Sequence, residues 1–231
     1  MYVRDHMTRN TYTITKDVVI SKAVEIMHKN HFHRLPVVDE NGVLIGLVTA
    51  GLVEEKSGAN STTLSIYELN YLLSKTKVSE IMIRDVKTIS QDVFVEEAAQ
   101  AMIDNGISVL PVVDEENKVI GIITEKDIFQ AFVELLGYKH QGTKFIINCK
   151  DVPGEFAGIA KLFGDNDCNL ESLAVYHTKE RGIESVIKAT GEISARAMSQ
   201  ILVDAGYKLT GVIKTTKFGT TKKYDIPEKS V

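Results

Sequence analysis

The chain has only two cysteines in 231 residues, Cys149 and Cys168. They form no CxxC pair and have no histidine pair at metal-ligand spacing nearby, which argues against a disulfide scaffold or a zinc site. There is no run of about 18 apolar residues, and the opening MYVRDHMTRN is too polar for the apolar stretch of a secretory signal, so a cytoplasmic protein without a membrane span is expected. Net charge is -4, and no cluster of lysine and arginine is dense enough to track a phosphate backbone, so nucleic acid is not an expected partner. Nucleophile-elbow GxSxG, phosphate-loop GxxxxGKS/T, dinucleotide GxGxxG and zinc-protease HExxH patterns are all missing. An enzyme is therefore not expected, and neither a metal nor a required cofactor.

What is present is a duplication. Shifted by 75 residues without a gap, residues 3–53 align with 78–128 at 19 identities in 51 positions. Each copy opens on Val-x-acid-x-Met (VRDHM, VSEIM) and continues through a Thr-Ile pair at 13–14 and 88–89. Next comes an amphipathic helix with Ile20, Val24 and Met27, or Val95, Ala99 and Met102, on one face. A strand LPVVD, a turn and a second strand ending in Thr49 or Thr124 follow, and then a second helix. Each copy is thus β-α-β-β-α, and about 50 residues bury too little apolar surface for either to stand alone. Between the copies, EEKSGANSTT leads into LSIYELNYLLSKTK, where Ile66, Leu69 and Leu73 at helical spacing predict a connecting helix.

GYKHQG at 137–142 breaks the pattern. Beyond it we expect a strand at 144–149, a DVPG turn and a helix facing inward through Phe156, Ile159, Ala160 and Phe163. Two more strands, a helix near 193–205 and a last strand complete a βαββαβ order. The expected domains are 1–77, the first repeat with its connecting helix; 78–137, the second repeat; 143–216; and a polar tail at 217–231, read as a flexible terminus.

The repeated hhPVVD and Gly-h-Ile/Val-Thr-x-x-Asp patterns resemble a tandem pair of CBS domains, a Bateman module, over about residues 1–137. DVPGEFAGIAKLF resembles the opening of ACT domains, and the match covers about 144–215. The combination is similar to acetoin-utilisation regulatory proteins of the AcuB type. The expected fold is α+β: two β-α-β-β-α repeats in one module, then a ferredoxin-like βαββαβ domain. The resemblance implies an allosteric sensor of AMP, ADP, ATP or S-adenosylmethionine, a homodimer whose protein target is unknown.

An acid in the first helical turn, as at Asp127, can accept both hydroxyls of a ribose, with Thr124 adding a further bond. The same spacing also suits a helix cap that needs no ligand. The CBS resemblance implies that Thr124 and Asp127 hold ribose. Copy one has Thr49 but Leu52 in place of the acid, so one good and one degenerate nucleoside site are expected. Adenine would lie against Thr88, Ile107, Val109 and Pro111. His33 and Arg34, where copy two has Ser108 and Val109, are expected to face phosphate, because guanidinium offers a planar fork to its oxygens. A solvated surface pair is the alternative, as it is for Arg9 and Arg84. In the second half, Asn148, Asp151 and Gly154 are candidate contacts for an amino-acid carboxylate, with Pro153 setting the first helical turn and free N–H groups at the helix start. A plain strand-to-helix turn is the alternative there. Cys149 stands where amino-acid-binding ACT domains often carry histidine, which weakens that reading.

Overall fold

The computed structural model describes residues 1–57, 66–138, 140–180, 182–216 and 221–228. The chain divides into two compact units, Met1–Ala131 and Phe132–Val231.

In the first unit, copy one comprises α1 (Val3–His6), β1 (Thr8–Arg9), β2 (Ile14–Thr15), α2 (Ile20–Asn30), β3 (Arg34–Val38), β4 (Leu44–Thr49) and α3 (Ala50–Ser57). The connecting helix α4 (Ile66–Lys75) follows; of the three apolar residues that predicted it, the side chains of Ile66 and Leu69 lie outside the described residues. Copy two runs through α5 (Val78–Ile81), β5 (Ile89–Ser90), α6 (Val95–Asn105), β6 (Val109–Val113), β7 (Val119–Thr124) and α7 (Glu125–Leu135). The buried stripe of α2 is Ile20, Ala23 and Met27 and that of α6 is Val95, Ala98 and Met102; Val24 and Ala99, one step round, are half-buried. Each helix closes in the left-handed region, α2 at His31 (φ 56°) and α6 at Gly106 (φ 61°).

The two copies exchange their leading segments. β1 pairs antiparallel with β7 of copy two, Thr8 against Ile122, while Ile83 bridges to Leu47 of copy one. Val3 and Met7 accordingly sit in the core of copy two with Leu110, Val112 and Ile123, and Val78 and Met82 in that of copy one with Leu35, Val37 and Val48. At the far end the turns clasp each other: Leu44 N–H donates to Asn117 O at 2.9 Å and Val119 N–H to Gly42 O at 3.2 Å. Asn117 (φ 59°) and Gly42 (φ 82°), equivalent by the 75-residue shift, both need the left-handed conformation that asparagine and glycine tolerate.

The second unit contains β8 (Gly142–Cys149), α8 (Glu155–Gly164), β9 (Asn169–Thr178), β10 (Gly182–Thr190), α9 (Ala195–Asp204), β11 (Lys208–Thr215) and β12 (Thr221–Lys223). The sheet order is β12-β11-β8-β10-β9, antiparallel throughout. Phe145, Ile147, Ile187, Leu209 and Val212 of the sheet pack with Ile159, Phe163, Met198 and Leu202 of the two helices. The tail differs from the expected flexible terminus: Thr221–Lys223 adds an edge strand, and Tyr224 N–H donates to Val212 O at 3.0 Å while its ring packs on the core.

On the other sheet face two charged side chains of β10, Glu184 and Lys188, are fully buried. Glu184 accepts from the hydroxyls of Thr210 (2.8 Å) and Tyr176 (3.2 Å). The Lys188 ammonium donates to the carbonyls of Gly137 and His140, fastening the segment that enters the sheet. Gly137 (φ 59°) and Gly142 (φ 147°) let the backbone close over it, since an added Cβ would come within 3.3 Å of Lys188 Cδ and 2.9 Å of Ala189 O respectively.

Two outcomes follow for stability. Gly121 packs its Cα against the exchanged segment, and a Cβ there would lie 2.8 Å from Thr8 O and 2.9 Å from Met7 Sδ. Because the first contact is backbone, Gly121→Ala is expected to destabilise the first unit by about 1–3 kcal/mol in denaturant unfolding; an unchanged midpoint would contradict the exchange. In the second unit, burial first and then the nearby Lys144 hold the Lys188 ammonium below its usual 10.5, with Glu171 partly opposing. The folded state therefore sheds this proton before the unfolded state does. Stability should rise as pH climbs from the depressed value towards 10.5, and a Lys188→Met variant should lose that rise in pH-dependent melting.

Candidate functional site

A cleft of about 920 Å³ lies in the first unit. Its middle is shared between the copies. From copy one come His33 and Arg34 at the start of β3 and Thr49, Ala50 and Gly51 where β4 turns into α3. From copy two come Ile83 and Asp85–Lys87, ahead of β5, with Ser108 and Val109 at the start of β6. The cleft then continues into a groove between α6 and α7, walled by Ala99, Met102, Ile103, Ile107, Ile128 and Phe129.

The strand pattern explains the polar edge of this site. β3 is buried from Leu35 to Val38, so His33 and Arg34 lie where the chain first emerges from the core. Arg34 is half-buried, and its Nη2 donates to Ser108 Oγ across the boundary between copies. Among the described residues it has no carboxylate partner, whereas Lys87 is already turned to Asp85 at 3.3 Å. A partly desolvated guanidinium facing an apolar-walled cleft favours an anion.

Of the residues expected from sequence, His33, Arg34, Ile107 and Val109 line this cleft. Thr88 is half-buried next to the lining residue Lys87, and Pro111 is buried within β6. Thr124 and Asp127 are not among the lining residues, although Glu125 and Ile128 beside them are. The Asp127 carboxylate instead accepts from the Thr124 N–H (2.8 Å) and hydroxyl (2.7 Å), the capping arrangement that the same spacing allowed. Shifted by 75, they correspond to Thr49 and Leu52, so Thr124 occupies in copy two the place that lines the cleft in copy one. Ile83, Asp85, Val86, Lys87 and Phe129 were not singled out from sequence. The duplication held the clue, but which copy each leading segment packs on had to be known before the clue could be used.

A second cavity, about 450 Å³, lies in copy one between α2 and α3. Its lining residues Val24, Met27, His28, His31, Phe32, His33, Ala50, Val53 and Glu54 are the 75-shifted equivalents of the groove residues of copy two. It differs in its lining, with His28, His31 and Glu54 where copy two has Ile103, Gly106 and Phe129, and in that Leu73 of α4 forms part of its wall. No group of three histidine, cysteine or acidic side chains among the described residues is arranged to hold a metal ion.

In the second unit Asn148 lies on β8 with its Nδ2 donating to Ile183 O at 3.2 Å, and Asp151 is exposed in the turn. Gly154 (φ 89°) is the residue before α8, so Pro153 falls in the turn and not in the first helical turn that was expected of it. The N–H of Lys150 is taken by Glu155 Oε1 at 3.0 Å. The cavity found in this unit, about 340 Å³, is lined elsewhere, by Thr143, Cys168, Thr190 and Lys214 among others. Burial raises the thiols of Cys149 and Cys168 above their ordinary range, which makes neither a ready thiolate. Among the described residues no helix is long and apolar enough to cross a membrane.

The CBS domain model matches residues 3–51 and 78–134. A CBS domain-containing protein of Dictyostelium discoideum is 30% identical over 134 residues, which span 58% of this chain and 92% of that protein. The chain belongs to the CBS domain family and carries a tandem CBS pair. A homoserine O-acetyltransferase of Methanosarcina acetivorans is 35% identical over 130 residues, but these are 56% of this chain and only 22% of that protein, so the shared part is a small fraction of the larger relative. Among solved structures, a putative acetoin utilization protein (AcuB) from Vibrio cholerae is 27% identical with a TM-score of 0.50, over 60% of this chain and 95% of that one. The CBS domain pair of protein MJ0100, in complex with 5′-methylthioadenosine and S-adenosyl-L-methionine, is 31% identical with a TM-score of 0.49, over 58% of this chain and 97% of that one.

The cap is directly testable. Removing the carboxylate in Asp127→Ala leaves the Thr124 N–H without its acceptor, and a loss of about 0.5–2 kcal/mol in the unfolding free energy is expected. Leu52→Ala, at the equivalent place in copy one, removes no such bond and serves as the comparison.

Proposed function

We propose that this chain is a regulatory ligand sensor and not an enzyme, and that its CBS pair takes an adenosine-containing ligand, AMP, ADP, ATP or S-adenosylmethionine, in the cleft between the copies. The observation that carries the reading is Arg34: a half-buried guanidinium with no carboxylate partner among the described residues, at the mouth of a cleft with apolar walls. A phosphate on Arg34 and His33 would leave the base against Ile107 and Val109, with Thr88 and Pro111 in the strand layer behind. Both copies contribute to the cleft, so a ligand that contacts both biases their relative arrangement, and a symmetric pair of chains would carry that bias onward. The expected oligomer is a homodimer and the expected compartment the cytoplasm.

Thr124 and Asp127, the proposed ribose contacts, lie at the position related to Thr49 and Leu52 by the repeat and outside the lining of this cleft. A ligand there would take over the bond that Asp127 now accepts from the Thr124 hydroxyl. The second unit supports an ACT-type reading through its βαββαβ order, with Asn148, Asp151 and Gly154 as the proposed amino-acid contacts. The closed Thr124–Asp127 cap favours one alternative, an adaptor whose nucleoside sites are vestigial.

Calorimetric titration of AMP, ATP and S-adenosylmethionine at fixed salt tests the proposal. We expect about one site per chain for a nucleotide, weakened at least about tenfold by Arg34→Ala and retained by Asp127→Ala; losing the charged hydrogen bonds alone accounts for a factor of that size. The reverse pattern would move the ligand to the repeat-related position, and no binding of any of the three would favour the adaptor.

A further inference from the structure

The repeat has left one groove walled by the connecting helix and its counterpart without that wall. In copy one the space between α2 and α3 is closed on one side by Leu73 of the connecting helix. In copy two the equivalent space between α6 and α7 is covered by no such helix among the described residues: Ile103 is 73% exposed and Phe129 66% exposed, and the groove runs without a break into the cleft that holds Arg34.

We propose that the copy-two groove is the tail subsite of a two-part ligand, an adenylate that carries an apolar acyl chain. This rests on the nucleotide reading of the cleft and deepens it. Two observations favour a single occupant for cleft and groove. They form one cavity of about 920 Å³, which is near the upper end for a small-molecule site and roomy for a bare mononucleotide. Their chemistry is also divided end to end, with Arg34 and His33 at one end and Ile103, Ile128 and Phe129 at the other. An acyl chain in the groove would cover apolar surface that a plain nucleotide leaves wet, and its contribution grows with each methylene buried. The copy-one groove has Leu73 in its wall and is lined by the polar His28, His31 and Glu54 where copy two has Ile103, Gly106 and Phe129, so one tail site per chain is expected.

The test compares AMP with non-hydrolysable acyl sulfamoyladenosines that carry acetyl, butanoyl and octanoyl chains, titrated into the full chain and into Phe129→Glu and Ile103→Glu. Both substitutions are at exposed positions and leave the core intact. Affinity is expected to rise with chain length, octanoyl exceeding AMP by at least about tenfold, and that rise is expected to vanish in both variants. If AMP and the octanoyl compound bind alike, the tail subsite is wrong while the nucleotide reading stands. A rise with chain length that survives both substitutions would place the chain elsewhere and equally overturn the proposal. If no compound binds, the nucleotide reading fails and the tail subsite with it. Sedimentation run alongside identifies a further contrary outcome: loss of a dimer in Phe129→Glu, with no dependence on chain length, would assign the groove to a second copy of the chain.

Discussion

Neither copy of the repeat completes its own core. Val3 and Met7 belong by sequence to copy one and are buried in copy two, and Val78 and Met82 make the reciprocal move. Each copy therefore presents an apolar sheet that stays open to water until the other's leading segment covers it, and the strength of the module lies in that exchange. The site inherits the same constraint. Ile83 and Asp85–Lys87 line the cleft with His33, Arg34 and Thr49 because Ile83 is bridged to Leu47, so the cleft exists only when the exchange has taken place.

Much of the fold could be read from periodicity. The two β-α-β-β-α copies, the connecting helix and the βαββαβ order all appear along the chain where apolar spacing puts them. Leading segments such as VRDHM were visible as motifs, but a four-residue helix and a two-residue strand carry no periodicity that names a partner. For the same reason the tail was read as flexible: TKK at 221–223 is polar, and its place in the sheet comes from backbone pairing with β11 and from Tyr224. Tertiary pairing decided both cases, and local sequence does not encode it.

The site was legible in parts. His33, Arg34, Ile107 and Val109 come together in one cleft as their motifs suggested. Thr124 and Asp127 illustrate the ambiguity of a short motif, since the same three-residue spacing serves a sugar or a backbone N–H, and in this structure the N–H holds the carboxylate. What separates the two uses is which element faces the acid, and that is a property of the packed module. Glu184 and Lys188 were invisible for a related reason: a charged residue in a strand pattern reads as solvent-exposed, whereas here hydroxyls and carbonyls from other segments enclose both.

The exchange also makes the order of the copies along the chain immaterial to how they pack. A module cut before Val78 and rejoined through its old ends would present the same two cores, each lent the same lid by its neighbour. Connectivity breaks this equivalence at one place, where α4 leaves the first copy and lays Leu73 across it. The duplication repeats one packing plan, and that wiring joins side-chain replacements such as His28 for Ile103 and Glu54 for Phe129 in giving the two halves different surfaces to offer.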